Sequence, residues 1–355
     1  MAGPEVEFFA MHFNARVRAM RGVLFPRERM DDLLESQDLS IIIEMLLNSP
    51  YAVEMAEALA RYQGADAVED AATRNMVSCF RKLTFRASGR YRELASRFLL
   101  RWDLAAVKSL LRFRHHEGRR EEARAVLVPG PTLSAALVND LVGRSSMTEL
   151  VSGLVLWNAA LCGCLRSPLR QYEQEQDLAL LEEALDRRYF VDTARELWGA
   201  SDENGRILRR VVEMEIDRIN LRMLFQFIDA RTPANLIVGR MLPGGALSPT
   251  ALAGMAGASG VVELMELLER TMYRDLVELL FQFLQTRRFS PIERNFELTL
   301  MREVRRLARR HPFSIAVLMD YAWRKYNEIT NIRLIARGEA RHLPRGRVRE
   351  ELLYA

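Results

Sequence analysis

The sequence predicts an all-α protein built from three similar helical subdomains. Three observations carry that prediction. Apolar residues recur at spacings of three and four almost throughout, and no stretch sustains the apolar/polar alternation of a half-buried strand. Five pairs, Ser49-Pro50, Ser167-Pro168, Thr232-Pro233, Ser248-Pro249 and Ser290-Pro291, each place a capping hydroxyl before a proline suited to a first helical turn. One nine-residue pattern occurs three times, at 102–110, 216–224 and 327–335.

The pattern is an acid (Asp103, Asp217, Glu328), then three positions on Ala106, Asn220 or Asn331, then a base (Lys108, Arg222, Arg333) among aliphatics. The acids fix the offsets of the copies, 217 − 103 = 114 and 328 − 217 = 111. A Val-Pro or Leu-Pro turn is read after each: Val128-Pro129, Leu242-Pro243 and Leu343-Pro344. Three units follow, 1–128, 129–242 and 243–355, which fits the two or three domains expected of 355 residues.

Each unit has the same expected plan. A short amphipathic helix and a small-residue turn open it, as from Asp32 to Leu39, Asp140 to Thr148 and Ala253 to Val262. A helical hairpin follows, such as 40–47 with 51–60. A longer polar helix comes next, 177–188 or 292–310, and the repeated pattern closes the unit on its own helix. On that helix Val107, Leu110 and Leu111, and their counterparts, form one apolar stripe. The acid and the Asn share another face. The base lies about 140° from the acid at 3.6 residues per turn, so pairing with a neighbouring unit suits it better than pairing within the helix. For the acid and Asn two readings stand: they satisfy backbone groups at the following turn, or they line a concave surface where units meet.

Composition narrows the function. At 49% hydrophobic and 28% charged the chain is an ordinary globular protein, and 51 bases against 47 acids give a net charge of only +4, too mild for a nucleic-acid signature. Cys79, Cys162 and Cys164 form no disulfide framework and point to a reducing compartment; Cys162-Gly163-Cys164 lacks a second pair to complete a zinc site. The N-terminus has no signal pattern. The uncharged run 150–165 is shorter than the roughly 20 residues a span needs, and 241–262 is broken by Pro243, Pro249 and several glycines. No membrane span is expected. No phosphate-binding loop, His-Glu-x-x-His or nucleophile elbow occurs, and His115-His116 reads as a turn. Catalytic, cofactor-binding and metal-ligating residues are therefore expected to be absent, and no cofactor is implied.

One charged feature stands apart. Arg302, Arg305, Arg306, Arg309 and Arg310 make a continuous basic stripe, with Leu300, Val304, Leu307 and Ala308 on the opposite face. It reads as a solvated helix face, or as a contact for acidic loops or anionic headgroups.

Tyr326 through Arg333, followed by Arg337-Gly338 and Leu343-Pro344, resembles the last repeat of the C subunit of A/V-type ATPases, whose eukaryotic counterpart is the d subunit of the vacuolar ATPase. The segment 14–20 with Ser49-Pro50-Tyr51 resembles its first unit; Asp103 to Arg112 and the segments 129–134 and 243–248 resemble its middle. Ala106 in place of Asn, and Gln226 in place of Arg112 and Arg337, are departures. The resemblance implies a funnel-shaped body of three helical units around a pseudo-threefold axis. It implies a non-catalytic central-stalk connector of a rotary proton- or sodium-translocating ATPase, one copy per complex, peripheral to the membrane on the cytoplasmic side. Its implied partners are the proteolipid rotor ring and the shaft subunits, with no nucleic acid and with membrane contact only through the ring. Asp103, Lys108, Arg112, Asp217, Asn220, Arg222, Glu328, Asn331, Arg333, Arg337 and the arginine stripe are the candidate interface or structural residues. The alternative is a helical scaffold, or an RNA-binding protein with an arginine-rich surface.

Overall fold

The computed structural model describes residues 4–36, 38–118 and 127–354. Helices account for 77% of the chain and the described residues hold no strand, as the all-α prediction requires. Two compact units are formed, Met1–Tyr189 with His311–Ala355, and Phe190–Arg310.

The first unit holds α1 (Pro4–Gly22), α2 (Arg27–Glu35), α3 (Leu39–Leu47), α4 (Ala52–Leu59), α5 (Gly64–Arg86), α6 (Gly89–His115), α7 (Ala135–Val142), α8 (Met147–Trp157), α9 (Ala159–Cys162), α10 (Arg166–Glu175) and α11 (Ala179–Asp186). The second comprises α12 (Asp192–Leu197), α13 (Glu203–Asp229), α14 (Ala234–Arg240), α15 (Pro249–Ala256), α16 (Val261–Glu269), α17 (Leu276–Thr286) and α18 (Ser290–Arg310). The chain then returns to the first unit with α19 (Ala316–Ala340) and α20 (Arg345–Glu351).

In the first unit α19 is the axis, packed on α5, α1, α2 and α3. Of its 25 residues 18 are buried, so it has no solvent face and little amphipathicity. Trp323 joins Phe98, Trp102 and Phe80 in an aromatic cluster with ring centroids 4.8–6.3 Å apart, and the Arg101 guanidinium lies 4.0 Å from the Trp323 centroid. In the second unit α13 takes the central place, against α12, α18 and α14–α16. Leu221, Leu224, Phe225, Ile237, Leu264 and Ile292 form the core there.

The long helices α6, α13 and α19, which carry the repeated pattern, end alike. Glu117, Arg231 and His342 adopt positive φ of 50°, 56° and 52°. The next N–H reaches back five positions each time, Gly118 to Phe113, Thr232 to Phe227 and Leu343 to Gly338, at 2.8–2.9 Å. This is a left-handed C-terminal cap built on non-glycine residues. Its offsets are 231 − 117 = 114 and 342 − 231 = 111, those of the sequence repeat.

That register corrects one alignment. Leu343-Pro344 is the counterpart of Thr232-Pro233, not of Leu242-Pro243, and both prolines precede a short helix, α20 and α14. The two prolines do one job because each helix must restart just beyond its left-handed cap. The capping pairs also shift. Only Ser248-Pro249 behaves as expected, with Ser248 Oγ accepting from Ala251 N at 3.1 Å. Ser49-Pro50 makes a turn before α4, Pro233 itself precedes α14, Ser167-Pro168 lies inside α10, and Ser290 is the first residue of α18. Proline lacks only an N–H that the first turn leaves unpaired, so its placement there can slip by a position or two. The expected helix 177–188 is α11 followed by a π-turn at Arg187–Val191.

Candidate functional site: a repeated acid and asparagine bracket

The repeated acids are buried and bind backbone. Asp103 is fully buried and accepts from Thr132 N and Thr132 Oγ1 at 3.0 Å and from Leu133 N at 2.8 Å. Asp217, also fully buried, accepts from Ala246 N and Leu247 N at 3.1 Å and from the Tyr273 hydroxyl at 2.7 Å. The donors keep the offset of the acids, since 246 − 132 = 114 and 247 − 133 = 114. Glycine is needed here: a Cβ on Gly130 or Gly245 would stand 2.1 Å from the carboxylate Oδ1 of Asp103 or Asp217. Burial pushes the Asp217 carboxyl up to about 6 against the pull of its donors, and raises Asp103 from the ordinary range for the same reason.

Glu328 is closed differently. It accepts from Phe25 N and from the Tyr51 hydroxyl, both near the start of the chain, and from Lys325 Nζ at 2.8 Å. Lys325 Nζ also donates to the Tyr51 hydroxyl at 2.7 Å and sits 4.1 Å from the Tyr51 ring centroid. Tyr51 follows Phe25 at the same interval as Tyr273 follows Leu247, since 51 − 25 = 26 and 273 − 247 = 26. The N-terminal segment thus supplies Glu328 with a backbone N–H and a tyrosine hydroxyl, as Ala246, Leu247 and Tyr273 supply Asp217.

The asparagines form two-way brackets. Asn220 donates to Leu242 O and accepts from Leu242 N, both at 2.8 Å. Asn331 does the same with Leu353, at 2.8 and 3.0 Å. The two brackets span the same interval, since 242 − 220 = 22 and 353 − 331 = 22. Ala106 is buried and carries no amide, so the first copy makes no such bracket. Asp103, Asp217, Asn220 and Asn331 satisfy backbone groups later in the chain, Glu328 satisfies the backbone of the N-terminal segment, and all five are buried.

The bases leave their own helix. Lys108 Nζ reaches both Asp186 oxygens at 2.6–2.7 Å, and Arg112 grips Glu182 bidentately at 2.5 and 2.8 Å. Arg222 pairs with Glu293 at 3.1 Å. Arg337 holds buried Glu69 in a fork, with Arg333 at 3.7 Å, where burial lowers the Arg333 guanidinium. Each base thus meets an acid on another helix, Lys108 with Asp186, Arg222 with Glu293 and Arg333 with Glu69. The arginine stripe lies apart on α18, exposed, with Leu300, Val304, Leu307 and Ala308 buried beneath.

Sequence reasoning missed Phe25, Tyr51, Lys325, Glu69 and Tyr273. A signal existed for the tyrosines: Ser49-x-Tyr51 and Thr271-x-Tyr273 share a turn in which the hydroxyl accepts from the tyrosine N–H at 3.0–3.1 Å. Lys325 is one of only three lysines in the chain, and two of the three lie on repeat helices.

The family model of the ATP synthase (C/AC39) subunit matches residues 13–351. The chain belongs to this family. The C subunit of the A-type ATP synthase of Methanosarcina acetivorans is 26% identical over 95% of this chain and 91% of its own length. The corresponding proteins of Haloferax volcanii and Methanothermobacter thermautotrophicus are each 28% identical, over 96% and 95% of this chain and 96% and 86% of their own lengths. As a C/AC39 protein it is a non-catalytic accessory part of an ATP synthase and works with other subunits of that complex. Among the described residues, no helix of this C/AC39 protein is long and apolar enough to cross a membrane.

Proposed function

We propose that this protein is the rotor connector of the complex: a stiff helical body, one copy per complex, that joins the membrane proteolipid ring to the central shaft on the cytoplasmic side and passes torque between them. The observation that carries the reading is the sequential linkage of the copies. Asp103, Asp217 and Glu328 each bind donors of the next copy, and Lys108, Arg222 and Arg333 each meet an acid of the next copy, with the third copy returning to the first. Links of this kind support a reading of three units, 1–128, 129–242 and 243–355. Torque transmission needs close-packed, low-compliance contacts, which buried and fully bonded polar groups provide.

The test is reconstitution. The purified chain is mixed with detergent-solubilised proteolipid ring and with shaft subunits, and complexes are weighed by native mass spectrometry. The expected result is one copy per ring with the shaft bound to the same complex. Binding to neither partner, with both intact, overturns the connector reading.

A further inference from the structure

We propose that the corner between α5 and α6 is a contact surface for anionic lipid headgroups, with Phe85 as the side chain that enters the layer. The inference goes beyond the connector reading and uses no part of it.

The corner is basic because it falls in a long stretch without acids. From Ala71 to Arg92 the chain carries six bases, Arg74, Arg81, Lys82, Arg86, Arg90 and Arg92, and no acid. Arg74 pairs with Glu57 and Asp70, and Arg90 pairs with Glu93 at 3.1 Å. Lys82, Phe85 and Arg86 stand at i, i+3 and i+4 on the last turns of α5, so they share one face, and all three are exposed. Phe85 is 83% exposed, an aromatic ring protruding beside two cations. Its backbone is held in place. The Arg92 guanidinium donates to Phe85 O at 3.1 Å and to Ala87 O at 2.5 Å, which ties the end of α5 to the start of α6.

A second aromatic tip lies beside the corner. Tyr91, in the first turn of α6, has its hydroxyl 3.4 Å from Ser314 O, which brings the turn before α19 alongside. Phe313 in that turn is 50% exposed, and the Arg18 guanidinium sits 6.0 Å from its ring centroid and donates to Pro312 O.

Charge and shape together select the occupant. An acid-free basic stretch selects an anionic partner. The apolar part consists of tips on two turns. A single nucleic-acid strand stacks its bases on aromatic faces along a groove, and a folded protein needs a recess fitted to each ring. A headgroup layer needs neither. It takes protruding rings at any spacing and seats them just below the phosphates that guanidinium and ammonium groups meet.

The probe is a sucrose-loaded vesicle of phosphatidylserine and phosphatidylcholine, with phosphatidylcholine alone as the control, and binding of the full chain is read by sedimentation. Binding should require phosphatidylserine and weaken as salt is raised. K82Q/R86Q, at unchanged helix content by circular dichroism, should weaken it about tenfold or more, and F85A about fivefold. Phe85→Trp should add fluorescence that brominated phosphatidylcholine in the same vesicles quenches, beyond the quenching seen with the wild-type chain. No preference for phosphatidylserine, indifference to K82Q/R86Q or F85A, or no added quenching with F85W overturns the proposal. Tighter binding of oligouridylate RNA or of polyglutamate than of phosphatidylserine vesicles also overturns it, in favour of a nucleic-acid or an acidic-protein surface. The connector reading is tested in detergent without a bilayer, so either reading can fail with the other intact.

Discussion

Asp217 on α13 and Glu328 on α19 occupy the same position in two copies of one helix, equally far from its left-handed cap, since 231 − 217 = 342 − 328. Asp217 is held by three neutral donors, two of them backbone N–H groups of the segment between α14 and α15, and among the described residues no ion pair closes on it. Glu328 has a buried cation, Lys325, beside it and takes its other donors from Phe25 and Tyr51, at the far end of the chain. The comparison teaches that the repeat specifies a buried acid with converging donors, while the source of the donors and the presence of a counter-charge are free to differ. The two sites should therefore fail differently when broken.

Glu328→Ala tests the counter-charge and should have the largest effect. It strands Lys325, 4% exposed at its side chain, without its carboxylate. Breaking one side of a buried pair costs about 3–5 kcal/mol, whereas Lys325→Met with Glu328→Met, which removes both charges, should cost clearly less. Denaturant unfolding of the three proteins checks the order; equal loss in the single and double variants would show that the pair is not what Glu328 serves.

Asp217→Ala leaves no stranded ion-pair partner, only unpaired donors on Ala246, Leu247 and Tyr273. The expected loss is about 3 kcal/mol, from donors each worth roughly 1–3 kcal/mol when buried unpaired. A loss matching that of Glu328→Ala would erase the distinction between the sites.

Without a paired cation, Asp217 is also sensitive to pH. Its folded pKa of about 6 lies above the ordinary aspartate value of 3.8, so the native state holds the proton more tightly. The stabilisation from this group is fully present below pH 3.8 and is lost as pH rises through 6, a span on the order of 2–3 kcal/mol. Asp217→Asn should remove that part of the stability–pH slope. Carbon-detected NMR of the Asp217 carboxyl gives the pKa directly, and a midpoint near 4 would contradict burial as the dominant influence.

The asparagine brackets give the smallest contrast. Asn220→Ala should cost about 2 kcal/mol, because Leu242 is buried and loses both backbone partners. Asn331→Ala should cost about 1 kcal/mol, since Leu353 is half-buried and water replaces part of the loss. Paired thermal melts would resolve the order of the two.

Much of this is legible in the residues. Helical spacing marks the aliphatic stripe in each copy of the pattern, the constant offsets between copies locate Asp103, Asp217 and Glu328, and the angle between acid and base disfavours their pairing within one helix. The stripe on α18 follows from spacing alone. The Leu343-Pro344 alignment goes astray because a proline turn is a weak local mark that recurs at more than one place in the unit. The hydrogen-bonded register admits one answer: the counterpart of Leu242 is Leu353, whose backbone closes on Asn331.

By itself the sequence determined the helices, the repeat and the placement of polar residues on apolar helices, because these depend on neighbours within a turn or two of chain. Only the tertiary structure decided what each buried polar group meets. Glu328 with Phe25, Arg337 with Glu69 and Lys108 with Asp186 are pairings across sequence separations of 303, 268 and 78. No local pattern records them; they exist because a buried charge must be satisfied by whatever donor or acceptor the packing of distant helices brings within reach.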